Sequence, residues 1–230
     1  MKLYDMHVHT RGISKCSRLS AEELCAALKE DGTDGFCLTN HYAARHVDLP
    51  FHDWLCKYRD EFYKTKEIAA GYGLGALFGI EVTDPERRDF LLYGVTPDCL
   101  FEEERPLWEF PLPELHAFAA RHGALLFHAH PYRFNGVPAD AADIDGIEIN
   151  CHPLYLTSHE EDVRRYAEAH HLLLSCGSDY HGDIYKAHCG VWLPDDIQDA
   201  TQLPAFFKKG QPALLVHTID PERARATVIH

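Results

Sequence analysis

Two histidines lie close together near the start of the chain, in the segment Asp5-Met6-His7-Val8-His9-Thr10. Successive side chains of a β-strand point to opposite faces, so a strand here places His7 and His9 side by side, with Asp5 on the same face. Imidazole and carboxylate groups are ligands for divalent transition metals. One His-x-His pair is weak evidence by itself, but the rest of the sequence repeats the arrangement.

Further metal-ligating side chains follow several short apolar segments, each of which predicts a strand. His41 follows the segment 35–39, Glu81 ends the apolar run that begins at residue 74, and His130 follows 124–127. In a closed βα barrel the carboxyl ends of the strands meet at one face, where active sites of this architecture lie. The sequence therefore predicts one pocket that contains His7, His9, His41, Glu81, His130, Asp179 and His181.

Apolar runs and turn residues predict an alternation of strands with helices. One strand is predicted to end near residue 9. Further strands are predicted over 35–39, 74–82, 90–95, 124–127, 146–150, 172–176 and 213–217. Helices are predicted over 20–29, 51–72, 113–122, 157–171 and 201–209, two of them opening at capping boxes, Ser20 to Glu23 and Thr157 to Glu160. Alternating elements indicate a parallel sheet, and ligands on five strand ends favour a barrel over an open doubly wound sheet. We expect a single α/β domain over residues 1–230.

Composition narrows the range of partners. The chain has 230 residues, and 36 acidic against 22 basic side chains give a formal charge of −14, which argues against a nucleic-acid polymer or an anionic membrane as partner. No segment has the apolar length of a membrane span. The eight cysteines form no Cys-x-x-Cys pair, and the chain shows no signal-peptide pattern, so a reducing, cytoplasmic location is expected.

The remaining histidines receive a plainer interpretation. His128 is either a spare ligand or a core residue, while Glu148 and His152 are candidates for supporting the ligands from behind. Ten others stand in helical or loop contexts and are predicted to be solvated: His46, His52, His116, His122, His159, His170, His171, His188, His217 and His230.

The ordered motifs together resemble the PHP (polymerase and histidinol phosphatase) family over about the first 190 residues. They are Asp-x-His-x-His-Thr, Thr39-Asn40-His41, Gly79-Ile80-Glu81, Ala129-His130-Pro131 and Ser178-Asp179-Tyr180-His181-Gly182. The resemblance implies a distorted TIM-like (β/α)7 barrel with a multinuclear metal centre that hydrolyses phosphate esters. It implies that His7, His9, Glu81 and Asp179 hold one ion. Glu81 would also bind a second ion, together with His130 and a residue of the fourth strand. His41 and His181 would bind a third.

Three positions depart from the family pattern. Asn40 stands where the family commonly has Asp, and Cys16 stands where a loop Asp or His usually serves the third ion. The fourth-strand ligand is usually His, and the nearest match here is Asp89. Two or three divalent ions (Zn, Fe or Mn) are therefore expected. Cys16 is either a thiolate ligand or, as a slightly favoured alternative, a neutral thiol packed beneath the loop.

Basic side chains near these motifs are candidates for binding phosphate. Arg11, Lys15 and Arg18 lie in the loop after the first strand, and Arg133 lies three residues after His130. The guanidinium group offers two parallel donors to a phosphate, and Arg18 and Arg133 are the preferred pair.

Three functions remain open from the sequence. The first is hydrolysis of a small phosphorylated substrate by attack of a metal-bound hydroxide, with His41 and His181 as possible proton donors. The second is an amidohydrolase-type cleavage of C–N bonds. The sequence pattern of such enzymes also opens with His-x-His, but it has no natural place for Glu81 or the His41 motif. The third is a non-catalytic metal-binding regulatory module.

Overall fold

A computed structural model describes residues 1–154, 157–182 and 186–216. The ten strands in these ranges are β1 (Lys2–Val8), β2 (Gly35–Leu38), β3 (His41–Tyr42), β4 (Gly75–Thr83), β5 (Asp89–Tyr93), β6 (Leu125–His128), β7 (Gly146–Asn150), β8 (Leu173–Gly177), β9 (Gly190–Leu193) and β10 (Leu214–Leu215). The five α-helices in the same ranges are α1 (Ala21–Glu30), α2 (Phe51–Gly71), α3 (Leu112–Arg121), α4 (Glu160–His170) and α5 (Leu203–Lys208). The short strands β3 and β9 were not predicted, and the predicted strand at 213–217 extends into residue 217, which lies outside the described residues.

The strands form one sheet in the order β10-β9-β1-β2-β4-β5-β6-β7-β8, with β3 paired to β4. The two ends of this path approach each other beyond β8. Val8 forms a parallel bridge with Tyr180, and the backbone N–H of His9 donates to the Tyr180 carbonyl at 3.3 Å. The sheet is therefore nearly closed into a barrel, and the expected α/β barrel architecture is confirmed at this level.

The expectation of an all-parallel sheet is wrong in two places. Strand β5 runs antiparallel to β4 and β6, and β9 runs antiparallel to β1 and β10. The connection from β4 to β5 is a tight turn, whereas a parallel connection needs a crossover of a dozen or more residues. As a result the first residue of β5, Asp89, pairs with Thr83 near the end of β4. An antiparallel strand thus contributes its amino end to the edge where parallel strands contribute their carboxyl ends.

Helices do not follow every strand, so a strict (β/α)7 alternation is not observed in the described residues. Between β6 and β7 the chain forms only short 3-10 turns, at Arg133–Asn135 and Ala141–Asp143. The first predicted capping box is present, because the Ser20 hydroxyl accepts from the Glu23 N–H and the Glu23 carboxylate accepts from the Ser20 N–H. The second, predicted from Thr157 to Glu160, does not form.

Left-handed backbone geometry explains the missing second cap. His159 precedes α4 with φ 52°, and no side chain of the described residues caps that helix. The Thr157 hydroxyl instead accepts from the N–H of His159 at 3.1 Å, so it stabilises the turn before the helix.

Aromatic side chains fill the barrel and the space beneath the helices. The Tyr93 hydroxyl donates across the barrel to the Met6 carbonyl at 2.9 Å, and Phe127 and Phe207 pack against the Tyr93 ring. Helix α2 buries Trp54 and other apolar side chains of one face, as its spacing predicts. Within the described part of the chain, no helix combines the length and apolar character needed to cross a membrane.

Candidate metal centre

The structure brings all seven predicted ligands together at the carboxyl edge of the barrel. His7 lies near the end of β1 and His9 directly follows that strand, while the short strand β3 places His41 opposite Glu81 of β4. His130 follows β6. Asp179 and His181 follow β8. Each side chain is therefore positioned by the end of a hydrogen-bonded strand or by the residues just after it.

Glu81 lies at the middle of this cluster and is fully buried. Its Oε1 atom is 3.1 Å from Nε2 of His130 and 3.3 Å from Nε2 of His7, while its Oε2 atom is 3.5 Å from Nε2 of His9 and lies directly against Nδ1 of His41. Burial raises the pKa of the Glu81 carboxyl, but the neighbouring His41 and His7 outweigh it and hold that pKa well below its usual range. Glu81 is thus an anion surrounded by imidazoles.

Asp179 forms the second acidic centre. Its Oδ1 atom is 3.0 Å from Nε2 of His9, 3.3 Å from Nε2 of His7 and 3.4 Å from Nδ1 of His181. Burial opposes ionisation, but His7 and then Arg133 hold the pKa of Asp179 well below its usual range. Its backbone φ is 52°, a left-handed value that non-glycine residues seldom adopt.

Three buried atoms at the centre have no hydrogen-bond partner among the described residues. They are Nε2 of His7, Nδ1 of His41 and Oε2 of Glu81, and the last two lie against each other without hydrogen-bond geometry. Leaving buried polar atoms unpaired is costly, and coordination of a cation would satisfy all three. The ligand atoms of His7, His9, Glu81 and Asp179 also lie within 4.8 Å of one another. The donor set therefore fits a divalent metal ion.

A second group of side chains lies on the outer side of His9. His41 and His181 contact through their Nε2 atoms at 3.3 Å, and together with His9 they form another set whose ligand atoms lie within 4.8 Å. Burial lowers the pKa of His41, but Glu81 and Cys16 outweigh it and raise that pKa to about 10. This geometry can accommodate a further cation next to the first.

Cys16 borders that outer group. Its Sγ, with His41 and His46, forms a set within 4.8 Å, and its side chain is exposed. Partial burial raises the pKa of the Cys16 thiol, but hydrogen bonds with His181 and His41 outweigh it and lower the pKa to about 6. The exposed side chain faces the imidazoles and is not packed beneath the loop, and its role as a thiolate ligand stays a prediction.

His46 is a residue that the sequence interpretation missed. It was predicted to be solvated, yet only 3% of it is exposed, and its ring stacks on that of His41 with the centroids 4.7 Å apart. Burial, together with the neighbouring His41 and Arg45, lowers the pKa of His46 to about 3. Its Nδ1 accepts from the Lys15 N–H at 3.0 Å. His46 lies in a short 3-10 turn after β3, so no periodic pattern could have identified it.

Asp89 lies at the rim of the same centre. Its Oδ2 atom is 3.9 Å from Nε2 of His130, and its Oδ1 accepts from the Thr83 hydroxyl at 2.6 Å. Burial raises the pKa of Asp89, and the nearby Glu81 carboxylate adds to that effect. A bound cation would stabilise the ionised form of Asp89, which the neighbouring Glu81 carboxylate disfavours.

Two hydrogen-bond networks orient the imidazoles from behind. Glu148 accepts from His7 Nδ1 at 2.8 Å through Oε1, and from the His130 N–H and Asn150 Nδ2 through Oε2. This is the supporting role predicted for Glu148. His128 instead takes a structural role, since its Nδ1 accepts from the Ala139 N–H at 2.9 Å and its ring stacks on Phe90.

Asn40 organises the other network. Its Oδ1 accepts from the Thr10 N–H and the Ser14 hydroxyl, and its Nδ2 donates to the Thr10 hydroxyl at 3.0 Å. Ser14 in turn contacts Nδ1 of His9 at 3.2 Å. The amide both accepts and donates here, which an ionised aspartate cannot do, so Asn suits this position.

The two arginines predicted to bind phosphate occupy different situations. Arg133 contacts Asp179 Oδ2 at 2.6 Å and Asn150 Oδ1 at 2.8 Å, so it supports a candidate ligand. Arg18 donates its backbone N–H to the His181 carbonyl, but its side chain is exposed. Binding of phosphate by either residue stays a prediction.

Two other acidic or imidazole side chains were placed near the site by the sequence. The Asp5 carboxylate accepts from the backbone N–H groups of His7 and Ser178 and lies 3.0 Å from the Lys186 ammonium, so it holds the ends of β1 and β8 together beside the centre. His152 is buried and forms a potential ligand set with Asp179 and His181.

Comparison with known proteins finds no matching family model and no matching curated protein. Solved structures do match. PsfC from Pseudomonas syringae PB-5123 superposes with a TM-score of 0.67 at 19% identity, over 99% of this chain and 96% of PsfC. An amidohydrolase from Chromobacterium violaceum superposes with a TM-score of 0.55 at 15% identity, over 95% of this chain and 99% of that protein. The shared feature is the fold. The resemblance to the PHP family stays a prediction.

Proposed function

We propose that this protein is a metal-dependent phosphoesterase that acts on a small phosphorylated substrate. One observation carries the proposal: the cluster of candidate ligands opens onto a cavity of about 540 Å³ that Asp89 and His130 share with arginines. Imidazole and carboxylate ligands suit Zn, Fe or Mn, and guanidinium groups suit the oxygens of a phosphate. A site that combines the two is equipped to bind a phosphate ester at a metal centre.

The residues that would hold metal fall into three overlapping sets. His7, His9, Glu81 and Asp179 would hold one ion. Glu81, His130 and Asp89 would hold a second, and His41, His181 and Cys16 a third. Divalent ions at these positions would supply an activated water and neutralise the charge of the phosphoryl group.

The chain itself contributes orientation and proton transfer. Arg133 lines the cavity and holds Asp179 through its Nη2 atom, so it fixes the position of that carboxylate. His181 is half-buried, and hydrogen bonding with Cys16 and the charge of Asp179 outweigh burial and raise its pKa. A raised pKa favours the protonated imidazole, which can donate its proton to a departing alkoxide. We assign this role to His181, with His41 as the alternative donor, for the protein with two bound ions, in which these imidazoles do not hold a third.

Two further observations support a phosphate ester as the substrate. The Chromobacterium violaceum amidohydrolase, which shares the fold, was solved with bound sulfate and no metal. Sulfate is a tetrahedral oxyanion like phosphate. The motif resemblance to the PHP family points to the same chemistry. The eight cysteines are free thiols, which suits the reducing, cytoplasmic location that we propose with this function.

The test combines metal analysis with a screen for phosphate release. We expect the purified protein to contain two or three equivalents of Zn, Fe or Mn, and to release phosphate from p-nitrophenyl phosphate and from natural monoesters. Chelation should abolish the release, and added metal should restore it. Metal content without any phosphate release from monoesters or diesters would contradict the proposal and favour a regulatory module.

A second candidate function is hydrolysis of a C–N bond. The likeness to the Chromobacterium violaceum amidohydrolase favours it, because that protein has the same fold. The discriminating measurement is release of ammonia or an amine from a panel of amides and cyclic ureas by the same metal-loaded preparation. Turnover of an amide without phosphate release would replace the first proposal with the second.

A further inference from the structure

The cavity beside the candidate metal centre has an unusual lining for an acidic protein. Arg45, Arg87, Arg88 and Arg133 all border it, together with Asp89 and His130 at the metal-facing end. A neighbouring cavity of about 280 Å³ shares Arg45, Thr83 and Arg87 with it and continues toward Trp108. A substrate bound at the metal centre would extend into this region.

Two of the four arginines are already neutralised by carboxylates. Arg88 forms a forked ion pair with Asp84, with Nη2 2.6 Å from Oδ2 and Nε 3.0 Å from the same atom. Arg133 contacts Asp179 at 2.6 Å. These guanidinium groups support the walls of the cavity, and their charge is compensated within the protein.

The other two arginines differ in their partners. Arg45 donates to the Thr83 hydroxyl at 3.2 Å, and its Nε atom lies 3.1 Å from Nε2 of His46. Across residues 1–154, 157–182 and 186–216, neither Arg45 nor Arg87 forms an ion pair with a carboxylate. The Thr83 hydroxyl that accepts from Arg45 itself donates to Asp89. Arg45 is thus anchored to the rim of the metal centre while its charge stays available.

Arg87 occupies a backbone position where glycine is the favoured residue. It lies in the turn between β4 and β5, its N–H donates to the Asp84 carbonyl, and its φ is 66°. In this left-handed region a side chain is disfavoured, and glycine normally takes such positions in tight hairpin turns. His130 and Phe134, which also line the cavity, have positive φ values too. Backbone strain of this kind clusters at ligand sites.

We propose that Arg87 and Arg45 form a subsite for a second anionic group of the substrate. The substrates would then be small phosphate esters that carry a further phosphate or a carboxylate a few atoms from the scissile ester. The inference rests on the proposed phosphoesterase function and adds the substrate class to it. Binding of this second anion would explain why an arginine, instead of a glycine, occupies the left-handed position 87.

The experiment measures inhibition of p-nitrophenyl phosphate turnover by three compounds with one carbon skeleton, at a fixed concentration of free metal. The compounds are glycerol 3-phosphate, 3-phosphoglycerate and 2,3-bisphosphoglycerate. A charge-assisted contact with the second anion should lower the inhibition constant about tenfold or more relative to that of glycerol 3-phosphate, which has no second anion. 3-Phosphoglycerate tests a carboxylate in that role, and 2,3-bisphosphoglycerate tests a phosphate.

Arg87→Gly is the decisive variant, and His171→Gly is its matched control. His171 also has a left-handed backbone, φ 57°, at the exposed end of α4, and it does not line the cavity. Both substitutions relieve backbone strain, so neither should lower the melting temperature. Only Arg87→Gly should remove the tenfold gain, and Arg45→Met should reduce it.

Three results would overturn the inference. Equal inhibition constants for the three compounds in the wild-type protein would show that no second anion is recognised. A gain that survives in Arg87→Gly would show that this residue does not contribute. Absence of phosphate release from any ester would instead contradict the proposed function, and the inference with it.

Discussion

The Glu148 carboxylate accepts a hydrogen bond from the Nδ1 atom of His7 at 2.8 Å, and both side chains are fully buried. When His7 is neutral, as a metal ligand must be, this contact keeps its ring proton on Nδ1 and leaves the Nε2 lone pair, directed between Glu81 and Asp179, for the ion. That Nε2 atom is buried and has no hydrogen-bond partner in the described part of the chain. Glu148 thereby prepares His7 to bind a metal ion.

We predict that Glu148→Gln weakens metal affinity about 10- to 100-fold, the usual consequence of losing a residue that orients a ligand. The second Glu148 oxygen accepts from both the His130 N–H and Asn150 Nδ2, and a glutamine NH₂ in its place cannot accept either bond. Competition with a chromogenic chelator measures the affinity. Glu109→Gln, a change at an exposed site, is the control. Equal affinities in the two variants would contradict the orienting role.

Glu81→Ala should release metal and abolish turnover while the fold persists. The carboxylate contacts four imidazoles, but the strand that carries it is held by backbone pairing with β2, β3 and β5, which the substitution leaves in place. Metal analysis should show a loss of at least about one equivalent, because a carboxylate in this position can bridge two ions. Circular dichroism should show unchanged secondary structure. Normal turnover at full metal content would refute a bridging role.

Cys16 should be the most reactive cysteine of the metal-free protein. Its pKa is lowered to about 6 and its side chain is exposed, whereas burial raises the pKa of thiols such as Cys25, to about 11. Because the thiolate is the nucleophile, alkylation by iodoacetamide should accelerate as pH rises through about 6 and level off above it. Peptide mass spectrometry identifies the modified residue.

Alkylation of Cys16 should also be compared between the metal-free and the metal-loaded protein. If its thiolate binds the outer ion, zinc should protect it from alkylation, and Cys16→Asp should change which metal the protein retains. Unchanged alkylation with metal bound, together with unchanged metal identity in Cys16→Asp, would show that Cys16 does not contact the metal.

Gly177→Ala should destabilise the protein and disturb the metal centre. A methyl group at this position of β8 would overlap the Cβ atom of His7 and approach Oε1 of Glu148 to 3.0 Å. Overpacking of this kind costs about 1–3 kcal/mol. Gly71→Ala, at the end of α2, has nothing within 4 Å of the added methyl and should stabilise the protein by about 0.4–1 kcal/mol. Urea denaturation of the two variants, with metal titrations, measures both effects.

Local sequence determined which residues end the strands and what they could bind. The parity of His7 and His9, the position of Glu81 at the end of an apolar run and the capping box at Ser20 all depend on neighbours within a few residues. Such features follow from strand and helix periodicity alone. The amino-acid sequence is therefore sufficient to predict the central ligand cluster.

Tertiary structure decided the features that depend on long-range contacts. The pairing of β5 with β6, which fixes Asp89 at the ligand edge, and the contact of the His46 ring with the Lys15 N–H join segments that are far apart in the chain. The failed cap at Thr157 shows the same limit, because a left-handed residue before α4 overrode a good local motif. Backbone φ values and cavity walls are set by the whole barrel. The left-handed Arg87 facing the cavity could therefore be recognised only in three dimensions.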